Sequence, residues 1–181
     1  MSDATSPDSL WTHPRIRSLF LALLVGACFV AGPSSAIAAA SLVNKKAPEF
    51  VRRDLSGKLL DLARFRGKVV LLNFWATWCA PCQVEMPFFA AWQRQYGAQS
   101  LQVIGISMDD DSAPVRKLIA RLKLNYPVAM GDEKLGASYG GVLGLPLTYL
   151  IDADGKVRAQ FQGETDLKTV ETHLKLLLSH P

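Results

Sequence analysis

The run Val69-Val70-Leu71-Leu72-Asn73-Phe74-Trp75 constrains this chain more than any other segment. It is almost continuously apolar, as a strand buried on both faces must be. A strand of that kind needs a packed layer on each side, which implies a sheet covered by helices. Thr77 to Cys82 then turns directly into a helical stretch expected from about Ala80 to Gln95, with Phe88, Phe89 and Trp92 on one face. Pro87 falls inside that stretch and should kink it. Leu101 to Ile106 reads as a second buried strand. Asp111 or Ser112 can cap a helix running from about Ala113 to Leu124. Tyr126 to Met130 is a short strand candidate, and Asp132 to Tyr139 a short helix ended at Gly140-Gly141. Leu147 to Asp152 and Val157 to Phe161 flank Asp154-Gly155, a strong hairpin signal. A helix from about Asp166 to Leu178 follows. Before the central strand, Ala47 to Val51 and Leu59 to Leu62 flank Ser56-Gly57-Lys58 and suggest a hairpin. The expected fold is α/β: a central mixed sheet flanked by helices, with an N-terminal β-hairpin and a central βα insertion.

The N-terminus speaks to compartment. Arg15 and Arg17 precede the apolar run Leu19 to Val30, and small residues follow from Ser34 to Ser41. This is the layout of a secretory signal, and Ala36-Ile37-Ala38 and Ala38-Ala39-Ala40 both fit its cleavage pattern. The run is short for a permanent span, which needs roughly 20 apolar residues. Three readings stand: a cleaved signal, an uncleaved membrane anchor, and lipidation at Cys28, where Val25-Gly26-Ala27-Cys28 resembles a bacterial lipobox. Residues 1–40 are therefore a signal peptide or membrane anchor, and 41–181 the folded domain. All three readings place that domain outside the cytoplasm, in the periplasm or its extracytoplasmic equivalent, soluble or tethered. The net charge of +4 comes from scattered basic residues. Such scatter gives no nucleic-acid face.

Three cysteines occur, at 28, 79 and 82. Cys79 and Cys82 form the only C-x-x-C pair, too close in sequence to restrain the unfolded chain much. Zinc needs about four ligands, and His13, His173 and His180 lie far from this pair in sequence. No metal site is expected, and no cofactor beyond a redox-active Cys79–Cys82 disulfide. A thiolate is the species that attacks a disulfide. A strand-to-helix junction aims backbone N–H groups and the positive end of the helix dipole at the first sulfur. Cys79, at the exposed first turn, is thus the expected nucleophile. Cys82, one turn deeper, is the resolving thiol that expels a mixed-disulfide partner.

The run Asn73-Phe74-Trp75-Ala76-Thr77-Trp78-Cys79-Ala80-Pro81-Cys82 resembles the thioredoxin active-site motif. Its continuation Gln83-Val84-Glu85-Met86-Pro87 is similar to the TlpA/ResA-like branch of exported thiol–disulfide oxidoreductases. Ala47-Pro48-x-Phe50, Gly67 to Leu71 and Leu145-Pro146-Leu147-Thr148-Tyr149-Leu150-Ile151-Asp152 extend the resemblance from Ala47 to about Gly163. It implies a thioredoxin-like fold with Pro146 in cis beside the cysteines. It also implies that Leu145 presents its backbone to an extended substrate strand while Pro146 keeps the cleft open. Glu85 lies three residues after Cys82, so a helix can bring both to one side. The resemblance implies an active-site carboxylate there, handling protons near Cys82. Cytoplasmic thioredoxins carry a buried Asp where Asn73 stands, and Asn cannot titrate. Asn73 is then a hydrogen-bonded polar residue of the core.

Trp78 is expected to shield Cys79 and offer a docking surface. Pro81 stiffens the turn and has no N–H to donate to a sulfur. Trp75, Phe74, Phe88 and Trp92 read as core. Asp109 to Asp111 reads as a solvated loop with a helix cap, lacking the ligand spacing of a calcium loop. A peroxiredoxin-type P-x-x-x-T-x-x-C pattern is absent, since Leu72 and Ala76 occupy its Pro and Thr positions. The resemblance implies reduction of disulfides in exported proteins, such as apocytochromes c or copper-site proteins, with a membrane thiol carrier as reductant. A thiol oxidant on the same scaffold and a redox-gated copper-binding module are the alternatives.

Overall fold

A computed structural model describes residues 41–179. The signal or anchor segment, with Cys28 and both cleavage-pattern matches, lies outside the described residues. The central strand forms as expected: β3 (Val69–Trp75) is buried at every position. It pairs in parallel with β4 (Leu101–Ser107), from Val69 opposite Leu101 to Trp75 opposite Ser107. On its other side it pairs antiparallel with β6 (Leu147–Ile151), from Val70 opposite Ile151 to Phe74 opposite Leu147. With β5 (Val128–Met130) and β7 (Val157–Gln162) the sheet has the order β5-β4-β3-β6-β7. The short hairpin β1 (Val51–Arg53) and β2 (Leu59–Asp61) stands apart as its own two-stranded sheet.

Alternating side chains of β3 feed two separate cores. Val69, Leu71 and Trp75 face α1 (Ala80–Tyr96), α2 (Ser112–Leu122) and α4 (Leu167–Ser179), packing with Met86, Phe89, Leu118 and Leu174. Val70, Leu72 and Phe74 face the other way, toward Phe50, Leu60, Tyr139 and Leu135 of α3 (Glu133–Ser138). Asn73 belongs to the α1 side, and its Nδ2 donates to Thr148 Oγ1 across the β3–β6 pair at 2.9 Å. The amide nitrogen of the polar residue in this apolar run thus finds a cross-strand partner in the core, while its buried Oδ1 accepts no hydrogen bond among the described residues. Gly105 lies next to Trp75 on the same side; a Cβ there would sit 2.9 Å from the indole Nε1. Only the missing side chain lets the Trp75 ring lie across β4.

The elements differ from expectation in a few places. Ala47 and Phe50 drop into the core instead of forming the first strand, so the hairpin begins at Val51. Leu55 N–H donates to Val128 O at 2.7 Å and ties the hairpin turn to β5. Tyr126 belongs to the core beside α2, and β5 starts two residues after it. Asp111 caps α2 through Ala113 N, and Lys123 ends that helix in the left-handed region at φ 51°. Gly155 takes φ 78° in the β6–β7 turn.

The aromatic assignment on α1 needs correction. Cys82, Glu85, Met86, Phe89, Trp92 and Tyr96 form its buried stripe at three- and four-residue spacing. Phe88 falls outside that stripe and is 48% exposed, so it is not a core residue. The helix also continues through Pro87. Phe89→Ala should therefore cost about 3–5 kcal/mol in chemical denaturation. Phe88→Ala should change stability by less than about 0.5 kcal/mol. Equal losses would overturn the assignment of faces.

Candidate active site

Three chain segments meet at one edge of the sheet: the C-terminal ends of β3 and β4, and the N-terminal end of β6. Cys79 is the N-cap of α1, with φ −86° and ψ 99°. Its Sγ accepts from the Cys82 backbone N–H at 3.3 Å, and the two cysteines are joined as a disulfide with Cα atoms 5.3 Å apart. Pro81 lies between them in the first turn and has no N–H, so the amide directed at Sγ is the Cys82 one. The helix N-terminus adds its positive end at the same atom, which favours a thiolate there after reduction.

The exposure of the pair differs from expectation. Cys79 is 5% exposed and Cys82 fully buried, while Trp78 beside them is 72% exposed. Cys79 is sheltered because its sulfur turns inward onto the first turn of α1. Trp78 stands out from the surface and takes no part in the core. Leu143, two residues before Leu145, is 76% exposed.

Leu145–Pro146 is the cis peptide of the described residues. Phe74 pairs with Leu147, so continuing that register sets Pro146 beside Trp75 and Leu145 beside Ala76, at the start of the redox turn. The Pro146 carbonyl accepts from Gly163 N–H at 2.8 Å, which ties this loop to the end of β7. Leu145 is half-buried and touches both cores.

Glu85 lies on the buried stripe of α1, three residues after Cys82, and is 5% exposed. Removal from water pushes its carboxyl up to about 7, and the negative charge of Glu164 adds to the rise. A hydrogen bond with the Thr165 backbone amide opposes it. A carboxyl in this range exchanges protons at neutral pH. Glu164 and Thr165 follow β7 and had no mark in the sequence.

Asp109 was also missed. Both of its carboxylate oxygens accept from Thr77: the backbone N–H lies at 2.9 Å from Oδ2 and 3.2 Å from Oδ1, and Thr77 Oγ1 at 2.6 Å from Oδ1. Ser107 Oγ donates to Oδ2 at 2.7 Å. Thr77 O in turn accepts from Gln83 Nε2 at 2.7 Å, and Gln83 Oε1 accepts from Arg121 at 2.6 Å. Asp111 does cap a helix, but Asp109 is part of the redox turn rather than a solvated loop. The signal was present, since equal parallel strands ending opposite each other place the second residue after each side by side.

Residues 43–160 match the model of the AhpC/TSA family. The "Thiol-disulfide oxidoreductase ResA" of Bacillus thuringiensis subsp. konkukian is 38% identical over 133 residues, covering 74% of this chain and 77% of that one. The ResA of Bacillus subtilis is 30% identical over 131 residues, covering 72% and 73% respectively. A thiol:disulfide interchange protein of the thioredoxin family from Chlorobium tepidum has a similar structure, with a TM-score of 0.69 and 28% identity. That similarity covers 77% of this chain and 99% of the Chlorobium chain.

The raised Glu85 carboxyl has a thermodynamic signature. The folded protein holds this proton at pH values where the unfolded chain has released it, so stability falls as pH rises from about 4.5 to about 7. The loss levels off above that window at a magnitude of order 3 kcal/mol. Glu85→Gln should remove this slope and make the oxidised protein more stable than wild type at pH 8. Urea denaturation at pH 5 and pH 8 checks it; parallel wild-type and variant curves would place Glu85 in water.

Proposed function

The chain belongs to the AhpC/TSA family and is a ResA-like thiol–disulfide oxidoreductase of thioredoxin-like fold, and from that premise we propose that it reduces disulfides in exported proteins through Cys79 and Cys82. The observation that carries this reading is the Cys79–Cys82 pair at the N-terminus of α1, flanked by the Leu145–Pro146 loop and followed by the buried Glu85.

The reduced enzyme begins with a Cys79 thiolate, favoured by the Cys82 amide and the helix N-terminus. It attacks one sulfur of the substrate disulfide. The Cys79–substrate bond forms as the substrate's own bond breaks, and the departing sulfur takes up a proton from water. Cys82 then gives its proton to Glu85 and attacks Cys79 Sγ. The internal disulfide forms and the second substrate thiolate leaves, taking the proton that Glu85 had accepted from Cys82. Two electrons and two protons pass to the substrate, and a second dithiol must restore the enzyme. A membrane thiol carrier is the reductant that the resemblance implies, with apocytochromes c or copper-site proteins as substrates. In this reading the domain works in the periplasm or its equivalent, free or tethered through residues 1–40. The exposed Trp78, next to Cys79 in the chain, gives a partner apolar surface, and Leu145 offers backbone to an extended strand. The redox-active disulfide is the only cofactor proposed.

The direction of transfer is tested by the equilibrium potential of the Cys79–Cys82 couple, read from tryptophan fluorescence in dithiothreitol or glutathione buffers. The expected value is about −230 mV or lower, in the range of glutaredoxins and thioredoxin. A value near about −120 mV would make the protein an oxidant and overturn the direction. Cys79→Ser should abolish insulin disulfide reduction, and Cys82→Ser should accumulate mixed disulfides on non-reducing gels. Comparable activity in Cys79→Ser would refute the mechanism.

A further inference from the structure

We propose that Asp109 sets the redox poise of the Cys79–Cys82 couple, as a fixed anion locked onto the redox turn that holds Cys79 toward its thiol form. The inference rests on the reading of Cys79 as nucleophile given above.

The placement follows from the sheet. β3 and β4 end together, Trp75 opposite Ser107, and Met108 N–H donates to Trp75 O at 2.8 Å. The loops that leave the two strands therefore start side by side. Asp109 meets Thr77, each two residues past its strand. Both carboxylate oxygens act only as acceptors, from the Thr77 N–H, the Thr77 hydroxyl and the Ser107 hydroxyl. That is the pattern of an ionised carboxylate. These partners are neutral, and no ion pair among the described residues involves Asp109. Its charge is held in place without being cancelled.

The charge is also close. Two residues of chain span at most about 7 Å, and Cys79 is the second residue after Thr77. Thr77 cannot swing away, because its N–H, hydroxyl and carbonyl are all engaged. The charge therefore sits against Thr77, one short stretch of chain from Cys79, and partly buried groups are screened less than exposed ones. An anion there disfavours the Cys79 thiolate, against the pull of the helix N-terminus. A less stable thiolate leaves the dithiol less favoured relative to the disulfide, which makes the couple more reducing. The other charged groups around the turn are Glu85 on α1, Glu164 near it after β7, the adjacent Asp110, and Lys117 and Arg121 of α2. Arg121 binds Gln83, and Lys117 lines the same groove as Thr77 and Gln83.

Asp109→Asn separates charge from geometry. Its amide oxygen can take the Thr77 N–H, and its NH₂ can face the Thr77 hydroxyl, which turns to accept. The variant is measured in the full protein by equilibration against dithiothreitol and by the pH profile of iodoacetamide alkylation of Cys79. The expected result is a shift of about threefold or more toward the dithiol, with the alkylation midpoint lower by about half a pH unit. Asp109→Ser, smaller and equally neutral, should shift both in the same direction. Asp110→Asn removes the same charge from an exposed neighbour and should shift each readout by less than half as much. Unchanged readouts in Asp109→Asn, even with a lower melting temperature, would reduce Asp109 to a structural brace and overturn the proposal. An equal shift in Asp110→Asn would overturn it too, by assigning the effect to diffuse charge. Either failure would leave Cys79 still reactive, and so is distinct from the loss of exchange that tests the reading beneath it.

Discussion

Burial of β3 on both faces is the constraint from which the rest of this structure follows. Seven successive residues without exposed surface must be covered from two sides. α1, α2 and α4 cover one side, and α3 with the N-terminal hairpin covers the other. To cover its side, α1 has to begin close to where β3 ends, and the short link between them is the turn that carries both cysteines. The parallel partner β4 ends at the same edge, and the antiparallel partner β6 begins there. The redox pair, the Asp109 loop and the Leu145–Pro146 loop thus share one edge because three strands pair as they do. Sites at the carboxyl ends of parallel strands recur in α/β sheets for this reason.

The same packing sets the electrostatics of the site. α1 contributes its N-terminus to Cys79 and its buried stripe to the core, and Glu85 lies on that stripe. A carboxyl withdrawn from water is costly to ionise, so the rise of the Glu85 carboxyl toward neutrality comes first from packing, with the Glu164 charge adding to it. Asn73 occupies the same side of the sheet, but its amide cannot titrate; its Nδ2 binds Thr148. Glu85 is the buried carboxyl on this side of the sheet among the described residues. Asp109 works from the rim, where its charge is fixed by neutral hydrogen bonds.

Much of this was legible in residue order. The apolar run 69–75, the cysteine spacing and the Asp154-Gly155 turn depend on local periodicity and turn chemistry, which act over a few residues. The Phe88 assignment failed because one residue's displacement around a helix separates a buried position from an exposed one. Which of Phe88 and Phe89 faces the sheet depends on the neighbouring layer. The Asp109 contact was hidden for a related reason. A run of three aspartates is locally indistinguishable from a solvated loop, and only the register of β3 against β4 brings one of them to Thr77.

The sequence by itself determined the sheet-and-helix architecture, the C-x-x-C centre at a strand-to-helix junction and the identity of the two thiols. These follow from hydrophobic period and residue type, which are properties of short segments. The tertiary structure alone decided that Cys79 is sheltered while Trp78 stands exposed, that Glu85 is dry enough for its carboxyl to titrate near neutrality, and that Asp109 closes on the redox turn. Each of these depends on groups far apart in the chain, and solvation and charge are set by whatever folding brings near.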